Sequence, residues 1–128
     1  METEAIDLVD EQGSNTALAA GGTATLITIT VPPNARFELD SFATYAGEVT
    51  AFGTCTWKYK INGVPRYPLN NIKDQIGEQG NPRQIFAADL GARGGDVVTL
   101  DVTNADSVSH SVGGIIRGRF ARRGKATQ

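Results

Sequence analysis

A serine nucleophile needs a base within hydrogen-bond reach and a third group to orient that base. The chain has one histidine, His110, and it sits among Ser107, Ser109 and Ser111. His110 alternates in phase with the apolar Val108 and Val112, so a structural, partly buried histidine is expected there and not a catalytic one. The single cysteine, Cys55, is in phase with Trp57 and Tyr59 and reads as a small core residue. One Cys and one His exclude both an internal disulfide and a zinc site of the Cys/His type. Asp74, Glu78, Asp89 and Asp96 could supply a carboxylate pair for glycoside hydrolysis, but nothing in their spacing selects two of them. Asp96 follows Gly94-Gly95 at a strand start, where a carboxylate caps the N–H groups of a turn. The stretch 91–95 (GARGG) has no following Lys-Ser/Thr and leads into a strand, so it is a hairpin-type turn and fails as a phosphate loop. The expectation is a protein without catalytic residues, cofactor or metal.

Charge is unevenly placed. Of 14 acidic residues, Glu2, Glu4, Asp7, Asp10 and Glu11 open the chain; of 12 basic ones, Arg117, Arg119, Arg122, Arg123 and Lys125 close it. Such ends are either solvated tails or arms that meet neighbouring subunits or a charged surface. The closing segment RGRFARRGK interleaves arginines with Phe120, a modest nucleic-acid signal, but the rest of the chain is net acidic and no nucleic-acid partner is expected. Apolar runs fall far short of the ~20 residues of a membrane span, and an acidic N-terminus is unlike a signal peptide, so no membrane partner is expected either.

The elements that must position these residues show a period of two from Thr23 onward. In 49–61, Val49, Ala51, Gly53, Cys55, Trp57, Tyr59 and Ile61 share one face, with Trp57 in the core. Further strands are expected at 23–31, ending at Pro32-Pro33, and at 36–45, 83–90, 96–104, 108–112 and 115–120. A single helical turn is expected at 70–76, within a long connection, 62–82, that holds Pro65, Pro68 and Pro82. With 128 residues the chain is one domain with one core. The reading is all-β: an antiparallel, jelly-roll-like β-sandwich of about eight strands over 22–120. An extended N-terminal arm over 1–21, with one short strand at 6–9, precedes it, and a basic C-terminal tail over 121–128 follows.

The order of these pieces resembles a known family. A β-branched strand ends in Pro-Pro, a strand carries Phe37 and Leu39, and a long strand ends Trp57-Lys-Tyr-Lys-Ile-Asn62-Gly63. A Pro-rich excursion follows, then Gly94-Gly95-Asp96-Val-Val-Thr-Leu-Asp-Val-Thr-Asn104 and Gly113-Gly114-Ile115-Ile116-Arg117-Gly118-Arg119-Phe120. Over about residues 22–120 this is similar to the small jelly-roll proteins of tailed-phage particles, especially capsid decoration (cement) proteins. The resemblance implies a homotrimer at threefold or quasi-threefold positions on the capsid exterior, made in the host cytoplasm, with the major capsid protein as partner and an N-terminal arm that reaches across neighbouring capsid subunits. It supplies no contact residues. From the residues themselves, Ile6 and Leu8 are the arm's apolar anchors, while Arg66, Tyr67 and Arg93 are the contacts a sandwich surface would use. A trimer would also cover the apolar residues of the long connection (Val64, Tyr67, Leu69, Ile72, Ile76), although the protein's own sandwich could do the same. The alternative is a receptor- or carbohydrate-binding jelly roll in which Tyr67, between Pro65 and Pro68, is the best ligand-facing aromatic.

Overall fold

A computed structural model describes residues 4–85 and 90–123 of the chain. Among the described residues nine strands run in chain order: β1 Glu4–Leu18, β2 Thr23–Thr30, β3 Ala35–Ala46, β4 Cys55–Ile61, β5 Val64–Pro65, β6 Arg83–Gln84, β7 Ala92–Arg93, β8 Val97–Asn104 and β9 His110–Arg123. Every strand pair is antiparallel. One sheet has the order β1-β9-β3-β6, with β7 also on β3, and the other the order β2-β8-β4-β5. First-half strands therefore pair with second-half strands in mirror order: β1 with β9, β2 with β8, β3 with β6 and β7, and β4 with β5. A long ribbon folded over in this way is the jelly-roll form of the β-sandwich. Among the described residues there is no α-helix, and none is long and apolar enough to cross a membrane.

Alternation decides which faces meet. In β4 and β8 every second residue is buried, so Cys55, Trp57, Tyr59 and Ile61 join Val98, Leu100 and Val102 against Phe37, Phe42 and Ile116 of the other sheet. Buried polar tips are satisfied across the core: Trp57 Nε1 donates to the Gly113 carbonyl at 3.1 Å and Tyr59 Oη to the Leu90 carbonyl at 2.6 Å. The β4–β5 hairpin turns on Asn62-Gly63, both at positive φ (53° and 79°), as a two-residue type I′ turn requires.

Five sequence expectations change. The first is the N-terminal arm. Residues 4–18 form an edge strand paired with β9 along nearly its whole length, and Val9 and Leu18 are buried in the core. The acidic opening and basic close of the chain thus meet each other: Asp7 pairs with Arg122 at 3.1 Å and Asp10 with Arg117 at 3.0 Å. Second, the long strand starts only at Cys55; Val49–Ala51 is a 3-10 turn, and Val49 is exposed. Third, the two closing strands are one. Gly113 and Gly114 do not break β9, because they serve close approach: a Cβ on Gly113 would lie 2.4 Å from the Tyr45 ring, and one on Gly114 would lie 2.3 Å from Leu100. β9 also takes in 121–123 of the expected basic tail; 124–128 lie outside the described residues.

Fourth, 70–76 is not helical. The connection runs beside β4, where Ile72 and Trp57 exchange two main-chain hydrogen bonds, then crosses to β3, where Thr44 N donates to the Ile76 carbonyl at 3.0 Å. It closes one side of the sandwich. Leu69 and Ile72 are buried beneath it, so the protein's own sandwich covers them, while Val64 and Tyr67 stay exposed. Fifth, of the strand expected at 83–90, Arg83–Gln84 and the bonded Ile85 run along β3; positions 86–89, Asp89 among them, lie outside the described residues.

Candidate functional site

Of the residues whose types could do chemistry, His110, Cys55 and Asp96 are committed to structure. His110 is buried, with Nδ1 2.7 Å from Glu48 Oε1 and Nε2 2.8 Å from Asp106 Oδ2. A neutral imidazole has one N–H, so two such bonds to ionised carboxylates require the imidazolium. The Asp106 bond, and after it the Glu48 bond, hold the ring's pKa above its ordinary value against the opposing effect of burial. The three groups clip the β3–β4 turn to the β8–β9 turn. None of the flanking serines is a hydrogen-bond partner of the ring, so no nucleophile is activated. Burial pushes the Cys55 thiol up, away from a reactive thiolate. Asp96 caps its turn: Oδ2 accepts from Arg93 N and Oδ1 from Asn62 Nδ2, each at 2.9 Å, and these bonds lower its pKa. Among the described residues no cluster of His, Cys, Asp and Glu could hold a metal ion.

The opposite end of the sandwich is organised differently. Residues facing one another in adjacent antiparallel strands share a face, and the register places Ile6 of β1, Ala121 of β9, Arg36 of β3 and Arg93 of β7 in one row. At the ordinary strand spacing this row spans about 14 Å. Arg36, Arg66 and Arg93 line a cleft of about 490 Å³ together with Glu38 and Asp96. Glu38 is used by its own chain, accepting from Arg36 Nε at 3.1 Å and from Arg119 Nη2 at 3.2 Å. Both oxygens of Asp96 are used as well. Among the described residues neither Arg66 nor Arg93 is in an ion pair.

No family model, curated protein or solved structure matches the chain. What it can bind has to be argued from this surface.

Of the five contact residues expected from the sequence, Arg66 and Arg93 come together in the cleft, and Ile6 lies on the Arg93 row. Tyr67 follows Arg66 in the chain and is 79% exposed. Leu8, 86% exposed, stands beside Arg119 of β9 and two residues from Ile6, which is 52% exposed. These two apolar side chains are fixed on a rigid sheet and do not ride on a loose arm. Sequence reasoning missed Arg36 and Glu38, which sit on the outward face of β3. The signal was present in the alternation around Phe37, but only the β3–β7 register brings Arg36 beside Arg93.

Proposed function

We propose that this chain is a structural protein of a virus particle, a capsid decoration protein that binds the assembled lattice through its major capsid protein and sits on the capsid exterior. The observation that carries the reading is the pair Ile6 and Leu8, left in water on the outer face of an edge strand whose neighbouring charges are paired. Water-exposed apolar side chains side by side on a sheet favour a contact surface. The unpaired main-chain edge of β1 adds donors and acceptors that a neighbour can join. The jelly-roll pairing and the commitment of His110, Cys55 and Asp96 to structure support a protein whose work is contact.

Binding the lattice but not its dissociated subunits stabilises the lattice by mass action, about 2.7 kcal/mol per site at a hundredfold excess over Kd. Burying Leu8 would contribute about 1.5–3 kcal/mol of the attachment. In a sedimentation assay with empty capsids of its own particle, the protein should pellet with them. Leu8→Ser combined with Ile6→Ser should raise the concentration for half-saturation about tenfold or more. Unchanged saturation would overturn this reading. Point variants are the right probe, because removing 1–12 would also strip β9 of most of one of its two partner strands and expose the core at Val9. A homotrimer is part of the proposal; light scattering should then give three times the 13.6 kDa chain mass.

A further inference from the structure

We propose that the cleft lined by Arg36, Arg66 and Arg93 is a binding site for a carboxylated sugar, a uronic or sialic type of acid. Three observations lead there. The first is charge: each oxygen of the two carboxylates in the lining already accepts one bond from its own chain, and Arg66 and Arg93, which line the cleft, are in no ion pair among the described residues. A guanidinium fork matches the planar geometry of a carboxylate.

The second is the kind of recognition left open. Main-chain groups around the cleft are already bonded: Asp96 N to the Arg93 carbonyl, Arg66 N to the Tyr59 carbonyl, Asn62 N to the Val97 carbonyl, and Arg93 N to Asp96 Oδ2. With these four N–H groups taken, recognition by side chains suits a compact ligand better than an extended acidic peptide. The volume, about 490 Å³, is within the range of small-ligand clefts.

The third is polarity. Glu38 and Asp96 retain lone pairs that can accept hydroxyl protons, which a sugar supplies, while their negative charge disfavours a multiply charged phosphate.

The site needs no lattice, so loss of capsid binding in Ile6 and Leu8 variants would leave it intact, and its own failure would leave the capsid reading untouched. Titration calorimetry at low salt tests it with sodium glucuronate, N-acetylneuraminate, glucose, inorganic phosphate and a hexaglutamate peptide. One or both acidic sugars should bind saturably, and glucose at least about tenfold more weakly, since it lacks the charge-assisted bonds. Arg66→Ala and Arg93→Ala should each weaken that binding about tenfold, with Arg93→Lys recovering part of it. Both side chains are exposed, and an unchanged circular dichroism spectrum confirms that the variants fold. Phosphate binding as tightly as the sugars, tighter binding of hexaglutamate, equal binding of glucose, or no sugar binding at tens of millimolar would each overturn the inference.

Discussion

The two ends of the sandwich use their charged groups in opposite ways. At the end where β3 turns into β4 and β8 into β9, His110 is buried between Glu48 and Asp106. Beside it the buried Asn104 amide donates to the Leu18 and Val108 carbonyls and accepts from Asp106 N. Among the described residues no buried side-chain nitrogen or oxygen lacks a hydrogen-bond partner. At the end where β2 turns into β3, Arg66 and Arg93 face a cleft and Ile6 faces water. Saturated polar groups in a dry setting hold a turn in place, and leaving one unpaired is expensive. Unpaired charges in a wet cleft contribute little to the fold and remain available to a ligand.

Substitutions should separate the two ends by size of effect. The core between them sets the scale: Trp57→Ala should cost about 3–5 kcal/mol in urea unfolding through lost burial, a cavity and the lost Gly113 bond. At the closed end, Asn104→Ala should cost about 2–4 kcal/mol, since it strands the Leu18 and Val108 carbonyls and Asp106 N. A loss below about 0.5 kcal/mol, the size of an ordinary surface change, would break the contrast from that side.

The pH dependence of the closed end comes next. The folded pKa of His110 is raised above the ordinary 6.5, so its contribution is complete below about pH 6.5 and fades as pH rises through the folded value. Asp106, whose pKa is lowered by its bond to His110, works in the other direction: its contribution is present above the ordinary 3.8 and is lost as acid reaches its folded value. Stability from the clip should therefore peak between about pH 4 and pH 6.5 and fall as pH rises beyond it through the folded value of His110. His110→Gln should flatten that fall. An unchanged slope in the variant would mean that the imidazolium is not formed.

The smallest effect belongs to the open end. Arg66→Ala and Arg93→Ala should each shift stability by no more than about 0.5 kcal/mol. A larger loss would show that those arginines support the fold, and the two ends would then be alike.

Much of this was legible in the chain. Strict alternation placed β2, β4 from Cys55, and β8, and it put Trp57 inside; Gly94-Gly95-Asp96 announced the capped turn. β1 was not legible for a physical reason. It is an edge strand with few inward apolar residues, chiefly Val9 and Leu18, so its alternation is weak. Gly13 adds no signal of its own: a Cβ there would fall 1.9 Å from the Leu26 carbonyl oxygen, a constraint that exists only once β1 lies against β2. The segment before Cys55 misled in the opposite sense, because Val49, Ala51 and Gly53 continue the alternation by position while Gly53 sits at φ 91° in a turn. At the candidate site Arg66 and Arg93 are legible because they fall in the long connection and in the Gly-rich turn of the sequence. The strand residue Arg36 is not, because its neighbour is set by register between segments far apart in sequence.

The mirror pairing also sets an order of events during synthesis. β9 lies between β1 and β3, so the strand made after all the others is the one that joins both into a sheet. While the ribosome is still reading the codons for β9, β1 has no partner, and Val9 and Leu18 have no completed core to enter. The β2-β8-β4-β5 sheet can pair before β9 is made, but the other sheet stays open until β9 emerges and joins β1 to β3. Long-range pairing of this kind folds slowly, in milliseconds to seconds. It also makes the unfinished chain, with the bare edge of β3 beside the unpaired β1, the form most exposed to capture by chaperones or by another nascent copy.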